Sequence, residues 1–380
     1  MFPLYTVAII VFGMGPAGLF LARQLNKENK IIYGIGKPDD IGRYSNVLKG
    51  YYATETIGGV EEAINEISRQ ENLSIGGYIC SDQYLTMFLE ENPNLFKSID
   101  MSEPGAEVFE LIFDKEKLIN YCKKIDIHFP AIYSERDIDC NNVDYPIAAK
   151  PNIKRGHSPL KKITVINNQR ELTSFLNEAK NAGYKIDEIL FQKYINGDNR
   201  CEYGYGGYFK EGTPITEVFF VQARQYPQGV SCYTIEIVDD VLRNEIRNAT
   251  ARFLNEIKYT GFLQFDLKQD ELTRQIYVLD INPRPWGSIS ILTPRCSNSS
   301  VFRKKPDNRE VCCWHFPLKE VVSFRNKNNV AYKECKNIGR GIRVIDLFDK
   351  KDVKPFLAQP VVAVNKIRIK LFSHNFRLEN

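Results

Sequence analysis

The chain has 380 residues, of which 43% are hydrophobic and 26% charged, with a formal net charge of +4, nine cysteines and four histidines. That is the composition of an ordinary soluble globular protein, long enough for two or three domains with cores of their own. No apolar run reaches roughly 18 residues, Met1 to Phe12 lacks a basic, cleavable leader, and no cysteines form a Cys-x-x-Cys pair, so a membrane span, secretion, a disulfide framework and a zinc site are set aside and a cytoplasmic location is expected.

The first element is an apolar run, Val7 to Phe12, followed by Gly13-Met-Gly15-Pro-Ala-Gly18 and a helical pattern to Asn26. Strand, tight turn and helix in that order, with a second strand from Lys30 to Tyr33, open a parallel α/β domain. The glycine spacing suits a dinucleotide, but no acid ends the second strand to hold a ribose, and Asp39 and Asp40 come late. A further strand, Ile75 to Cys80, runs into Ser81-Asp82 and a helix ending near Pro93. Asp114 is placed to cap an amphipathic helix over Glu116 to Lys124.

From Tyr145 the pattern changes to strand (Pro146 to Lys150), loop, strand (Lys161 to Val165), helix (Gln169 to Ala182) and strand (Glu188 to Tyr194). The loop after Lys150, with Lys154, Arg155, Gly156 and His157, offers cations and backbone amides suited to folding over polyphosphate. Alternating runs over Arg200 to Phe209 and Pro214 to Ala223 predict an antiparallel sheet, and Asp240 to Ile257 a long helix that stops near Gly261.

The most informative stretch is Tyr259 to Ser288. Two strand-like runs flank the polar turn Gln269 to Gln275, and residues two apart on a strand share a face, so Asp280, Asn282 and Arg284 point the same way, with Asp266 on the partner strand. Two carboxylates and an amide oxygen are hard ligands for Mg²⁺, and an adjacent guanidinium suits a phosphoryl group. Residues 301–380 hold 18 Lys and Arg against 8 Asp and Glu. These charges are dispersed, which favours a solvated face over an anionic partner such as a lipid surface, a polymer or a phosphorylated substrate; no nucleic-acid partner is expected. Trp314, His315 and Ile367 to Leu371 match no motif.

The order Lys115, Lys150 before a glycine-containing loop, Gln192-Lys-Tyr-Ile195, Asp266 and Asp280-Ile-Asn282-Pro-Arg284 resembles the ATP-grasp superfamily. Gly42-Arg-Tyr44, Ser81-Asp82, Phe113-Asp-Lys115 and Arg224-Gln-Tyr-Pro-x-Gly229-Val-Ser231 extend the resemblance to a group of ATP-dependent carboligases related to the carbamoyl-phosphate synthase large chain. It covers about residues 5 to 295. The fold it implies is α/β, a Rossmann-like domain (1–112) preceding a grasp of two α+β subdomains (113–195 and 196–295), with 296–380 left as a basic C-terminal subdomain.

In this resemblance Lys115 and Lys150 bind ATP phosphates, the backbone of Lys193 and Ile195 holds adenine beside Gln192 and Tyr194, and Asp198 or Glu202 contacts the ribose. Asp266, Asp280 and Asn282 ligate Mg²⁺ or Mn²⁺, and Arg284 steadies the transferring phosphoryl group. The implied reaction activates a small carboxylate as an acylphosphate for attack by an amine, with release of ADP and phosphate. For that reaction Arg224, on a strand just before Gln225-Tyr-Pro-Gln-Gly229, is the candidate for binding the acceptor carboxylate, with Arg284 second, and Arg43, Tyr44, Asp82 and Ser231 are candidates for the amine or side-chain pocket. A phosphorylated or membrane-proximal acceptor and a homodimer are further expectations. The chain departs from the superfamily in having Gln192 and the shorter acids Asp266 and Asp280 where glutamates are commoner, and a single glycine in the loop after Lys150. Bicarbonate phosphorylation and non-catalytic ATP sensing are the competing readings.

Overall fold

The computed structural model describes residues 8–71, 75–101, 104–151, 160–227, 229–297, 300–304, 310–323 and 342–365. The loop expected to cover polyphosphate (Asn152 to Pro159) and the basic run Ile367 to Leu371 lie outside these residues.

Strands β1 (Ala8–Phe12), β2 (Ile31–Gly36), β3 (Gly50–Ala53), β4 (Ile75–Ile79) and β5 (Asp100–Met101) form a parallel sheet in the order 3-2-1-4-5. Every residue of β1 is buried, as expected of a central parallel strand covered on both faces. The turn into helix Pro16–Lys27 requires its glycines. Gly13 has φ +87°, and a Cβ on Gly18 would lie 2.1 Å from the Gly13 carbonyl oxygen. The helix expected after Ser81 runs over Asp82–Thr86 and continues as a wider helical turn over Met87–Glu91, ending just before Pro93 as its pattern predicts.

A second, antiparallel sheet contains β6 (Ile132–Tyr133), β7 (Ile147–Pro151), β8 (Thr164–Ile166) and β9 (Ile189–Lys193) in the order 6-9-7-8. Ile147, Ala149, Ile189 and Phe191 pack against Leu172, Phe175 and Ala179 of helix Gln169–Asn181. Alternation then turns Ala148, Lys150 and Gln192 to the other face, where Ala148 pairs with Gln192. Helix Lys115–Lys124 begins as expected, with the Asp114 carboxylate accepting the Lys117 N–H at 3.0 Å.

The third sheet holds β10 (Glu202–Lys210), β11 (Thr213–Gln225), β12 (Ser231–Glu236), β13 (Gly261–Gln269) and β14 (Ile276–Asn282). After the short hairpin of β15 (Cys296–Ser297) and β16 (Ser300–Lys304), β17 (Cys312–His315) and β18 (Ile342–Ile345) complete it in the order 14-13-10-11-12-17-18. Among the described residues beyond 295, β17 and β18 thus extend this sheet. Cys312, Cys313 and Trp314 are buried, and the edge of β12 satisfies the backbone of β17.

One apolar cluster joins the first and third sheets: Val11, Met14 and Leu21 pack with Phe220, Phe262, Trp286 and Trp314. Polar contacts add a second tie at Asp352, whose carboxylate accepts from Arg23 Nε (2.9 Å), Ser45 Oγ (2.6 Å) and Asn46 N (2.9 Å). These contacts hold the glycine turn against the strand end that carries Arg284.

Candidate active site

The bottom of the site is built on β13 and β14. Asp266 lies opposite Asp280 and Gln264 opposite Asn282, with a bulge after Asp266, so the three expected metal ligands converge. Asn282 Nδ2 donates to Asp266 Oδ2 at 3.2 Å, and Arg284 Nη2 donates to Asn282 Oδ1 at 3.3 Å. Asp266 Oδ1 also accepts from Gln222 Nε2 (2.9 Å) and Gln264 Nε2 (2.6 Å), and Ser231 Oγ donates to Gln222 Oε1 at 2.6 Å. Gln222 and Gln264 were legible in principle, since Gln264 is two residues from Asp266 on one strand, but glutamine alone carries no signal.

Lys115, from the helix start on the opposite side, forms an ion pair with Asp280 Oδ1. The two acids respond in opposite directions. Burial raises the pKa of Asp266, and its amide donors and Lys162 only partly compensate. Burial also opposes ionisation of Asp280, but Lys115, by charge and hydrogen bond, together with Lys150 and Lys162, carries its pKa below the usual aspartate value. Burial lowers the pKa of Lys150, an effect that Asp280 counters and Lys115 reinforces. Lys162, which the sequence reading passed over, belongs to this charge cluster and donates to Gly229 O at 3.2 Å.

Arg284, just after β14, makes a two-toothed ion pair with Asp82, just after β4, Nε to Asp82 Oδ1 at 2.5 Å and Nη2 to Asp82 Oδ2 at 2.7 Å. The pair lines a cavity of about 280 Å³ with Gly13, Gly15, Lys37, Tyr84 and Gly287. Asp40 lines it too, but its Oδ2 accepts from Met14 N (2.9 Å) and Lys37 N (3.0 Å), so it braces the glycine turn. Arg43 and Tyr44 sit on the short helical turn Ile41–Tyr44 behind it, with Gly42 N bonded to Met14 O at 2.8 Å and the Arg43 guanidinium 5.6 Å from the Tyr44 ring centre.

Arg224 is not in this cavity. It is 1% exposed, ion-paired to Glu320 and stacked 4.1 Å from the ring centre of Tyr233, so it holds the helix Pro317–Ser323 to the sheet. The segment after residue 310 encloses this guanidinium, and its Glu320 had no pattern tying it to β11.

At the junction of the second and third sheets, Gln192 is 1% exposed on the Lys150 face, and its Nε2 has no hydrogen-bond partner among the described residues. An orphaned buried amide fits a site that receives a polar ring edge. Lys193 N donates to Ala131 O and Tyr194 N to Pro146 O, while Ile195 is buried. Asp198 binds Arg200 through both carboxylate oxygens, and Glu202 binds Lys268 and Gln225.

No family model matches the chain. Among solved structures, it aligns with the biotin carboxylase domain of 2-oxoglutarate carboxylase from Hydrogenobacter thermophilus at a TM-score of 0.61 and 14% identity, covering 78% of this chain and 69% of that one. The chain has the ATP-grasp fold. The same ATP-grasp architecture recurs in N5-carboxyaminoimidazole synthetase from Staphylococcus aureus complexed with ADP (TM-score 0.57, 17% identity, 80% and 79% covered). It recurs again in an L-amino acid ligase from Bacillus licheniformis (TM-score 0.59, 10% identity, 77% and 70% covered). A curated relative, D-aspartate ligase from Enterococcus faecium, is 23% identical over 245 residues, 59% of this chain and 56% of that protein. The chain thus spans about half the length of that relative. Among the described residues no three acidic, histidine or cysteine side chains cluster as a metal group, and no helix is long and apolar enough to cross a membrane. Asp266 and Asp280 with the Asn282 amide are the set that fits a divalent ion completed by phosphate oxygens.

Proposed function

We propose that this ATP-grasp chain is an ATP- and Mg²⁺-dependent ligase that joins a carboxylate to an amine with release of ADP and phosphate. The observation that carries the reading is the convergence of Asp266, Asp280 and Asn282 with Lys115 on one wall and Lys150 on the facing sheet. A D-aspartate ligase among its relatives and an L-amino acid ligase among its structural neighbours support an amino acid as one substrate.

In this reading Lys115 and Lys150 neutralise the phosphates, and Asp266, Asp280 and Asn282 would hold the metal. Bound Mg²⁺ would offset charge on the transferring phosphoryl group. The carboxylate oxygen of the substrate bonds to the γ-phosphorus as the bond to ADP breaks. The amine then attacks the acyl carbon, phosphate leaves, and the nitrogen gives up its proton. Lys115 must leave Asp280 for this, and a polyphosphate offers it a stronger counter-charge. The cavity between the glycine turn and Arg284 is the proposed acceptor site, with Asp82 and Arg284 presenting both signs of charge to a zwitterion. The domain division at 112, 195 and 295, the kinship with carbamoyl-phosphate synthase, a cytoplasmic location, a homodimer and a phosphorylated or membrane-proximal acceptor belong to the same proposal.

The test is phosphorus NMR of MgATP with the protein and pooled amino acids and carboxylates. ADP and phosphate that appear only with the pool, and not with Asp280→Asn, support ligation; AMP and pyrophosphate overturn it. Bicarbonate alone driving ADP release would favour the carboxylase alternative.

A further inference from the structure

Lys268 lies two residues beyond Asp266 on β13 and on the same face, yet it is only 3% exposed. Its ammonium donates to Glu202 Oε1 at 3.1 Å and to the Tyr194 hydroxyl at 3.4 Å, and it stands 4.7 Å from the centre of the Tyr194 ring. Glu202 Oε2 accepts from Gln225 Nε2, and Gln225 Oε1 in turn accepts from Gly229 N at 2.7 Å. Tyr194 immediately follows β9 of the second sheet, whereas Glu202 opens β10 of the third. Lys268 therefore spans the junction of the two sheets from a strand that already carries a metal-site acid.

A buried lysine is costly unless it is paired, and an apolar side chain would pack there with no such cost. Lys268 at one oxygen and Gln225 at the other fix the Glu202 carboxylate, which accounts for the choice. Asp198, the other acid near this junction, is held instead by exposed Arg200 on the same short turn.

Resting on the ATP reading, we infer that Lys268 is a positioning residue that holds Glu202 as the hydrogen-bond acceptor for the nucleotide's ribose hydroxyls. Lys268 itself need not touch the nucleotide. Its effect is confined to the sugar, which separates it from a general structural role.

The experiment is calorimetric titration of the full chain with MgADP and with its 2′-deoxy and 3′-deoxy forms, for the unmodified protein, Lys268→Met, Lys268→Arg and Glu202→Gln. A hydroxyl donating to an oriented carboxylate predicts that the unmodified protein prefers ADP over at least one deoxy form by about tenfold. Lys268→Met and Glu202→Gln should each collapse that preference to within about twofold while leaving deoxy-nucleotide affinity little changed, and Lys268→Arg should restore part of it. A preference that survives in Glu202→Gln, or in a folded Lys268→Met, overturns the inference and leaves the ATP reading standing. The same holds if the unmodified protein binds ADP with no hydroxyl preference. No binding of any adenine nucleotide by the unmodified protein overturns both.

Discussion

Replacing Asp346 by asparagine should change how the protein's stability depends on pH. Asp346 follows β18 and is 3% exposed; its Oδ1 accepts from Trp314 Nε1 at 3.3 Å and Ser290 Oγ at 3.4 Å, while Oδ2 has no partner among the described residues. Burial outweighs these donors and pushes its pKa from 3.8 up to about 7. The folded chain thus holds this proton more tightly than the unfolded chain. The associated stability is complete below about pH 4, declines as pH rises, and is gone once pH has passed through about 7. At about 1.4 kcal/mol per tenfold in proton affinity, the full difference is about 4 kcal/mol, of which about 2.5 kcal/mol falls between about pH 5 and pH 8. Unfolding entropy of about 2.1 cal/mol/K per residue gives about 0.8 kcal/mol/K for the whole chain, so the loss corresponds to about 3 °C in Tm. The amide in Asp346→Asn keeps the acceptor for Trp314 and cannot ionise. Thermal melts of both proteins across this range should show the variant overtaking the unmodified chain by about that margin at the alkaline end. Parallel pH profiles would refute the reasoning, because they would mean that Asp346 is ionised throughout or does not titrate in this range.

Other substitutions test the remaining supports. Asp280→Asn should lower substrate-dependent ADP release by at least about a hundredfold, and should also lower the midpoint in urea, because Lys115, Lys150 and Lys162 favour the ionised carboxylate in the folded chain. Gly18→Ala forces a methyl group to 2.1 Å from the Gly13 carbonyl, so a lower yield of folded protein and a reduced midpoint in urea are expected. Arg224→Met leaves the Glu320 carboxylate with His315 Nδ1, at 2.8 Å, in place of its two partners, at a cost of about 3 kcal/mol by urea unfolding; the further change Glu320→Leu should recover part of it. Asp352→Ala strips the carboxylate from Arg23, which is 8% exposed, and should cost a similar amount by the same measurement.

The elements that alternate or repeat strongly were legible in the sequence. Helices Gln169–Asn181 and Asp240–Glu256, the paired runs of β10 and β11 and the hairpin of β13 and β14 fall close to where periodicity puts them. The weakly patterned pieces were not. Strands β5 and β6 are two residues long, and β12 and β17 carry Cys, Tyr, Thr and Trp with no alternation of polar and apolar residues, because both faces are covered.

The same division runs through the site. Asp280, Asn282 and Arg284 were readable because a strand turns every second side chain to one face, a rule that needs only local geometry. Asp266 needed only a hairpin to be named, whereas Lys115 entered through the resemblance to the ATP-grasp superfamily. What each charge faces is decided by distant chain: Asp82 meets Arg284 across 202 residues, Glu320 meets Arg224 across 96, and Lys268 meets Tyr194 across 74. The sequence determined the chemistry available to this protein, namely two acids, an amide and basic groups in an order that suits phosphoryl transfer. Only the tertiary structure decided which charges are spent on holding domains together and which remain for a ligand, because that depends on the burial and proximity of residues that share no local pattern.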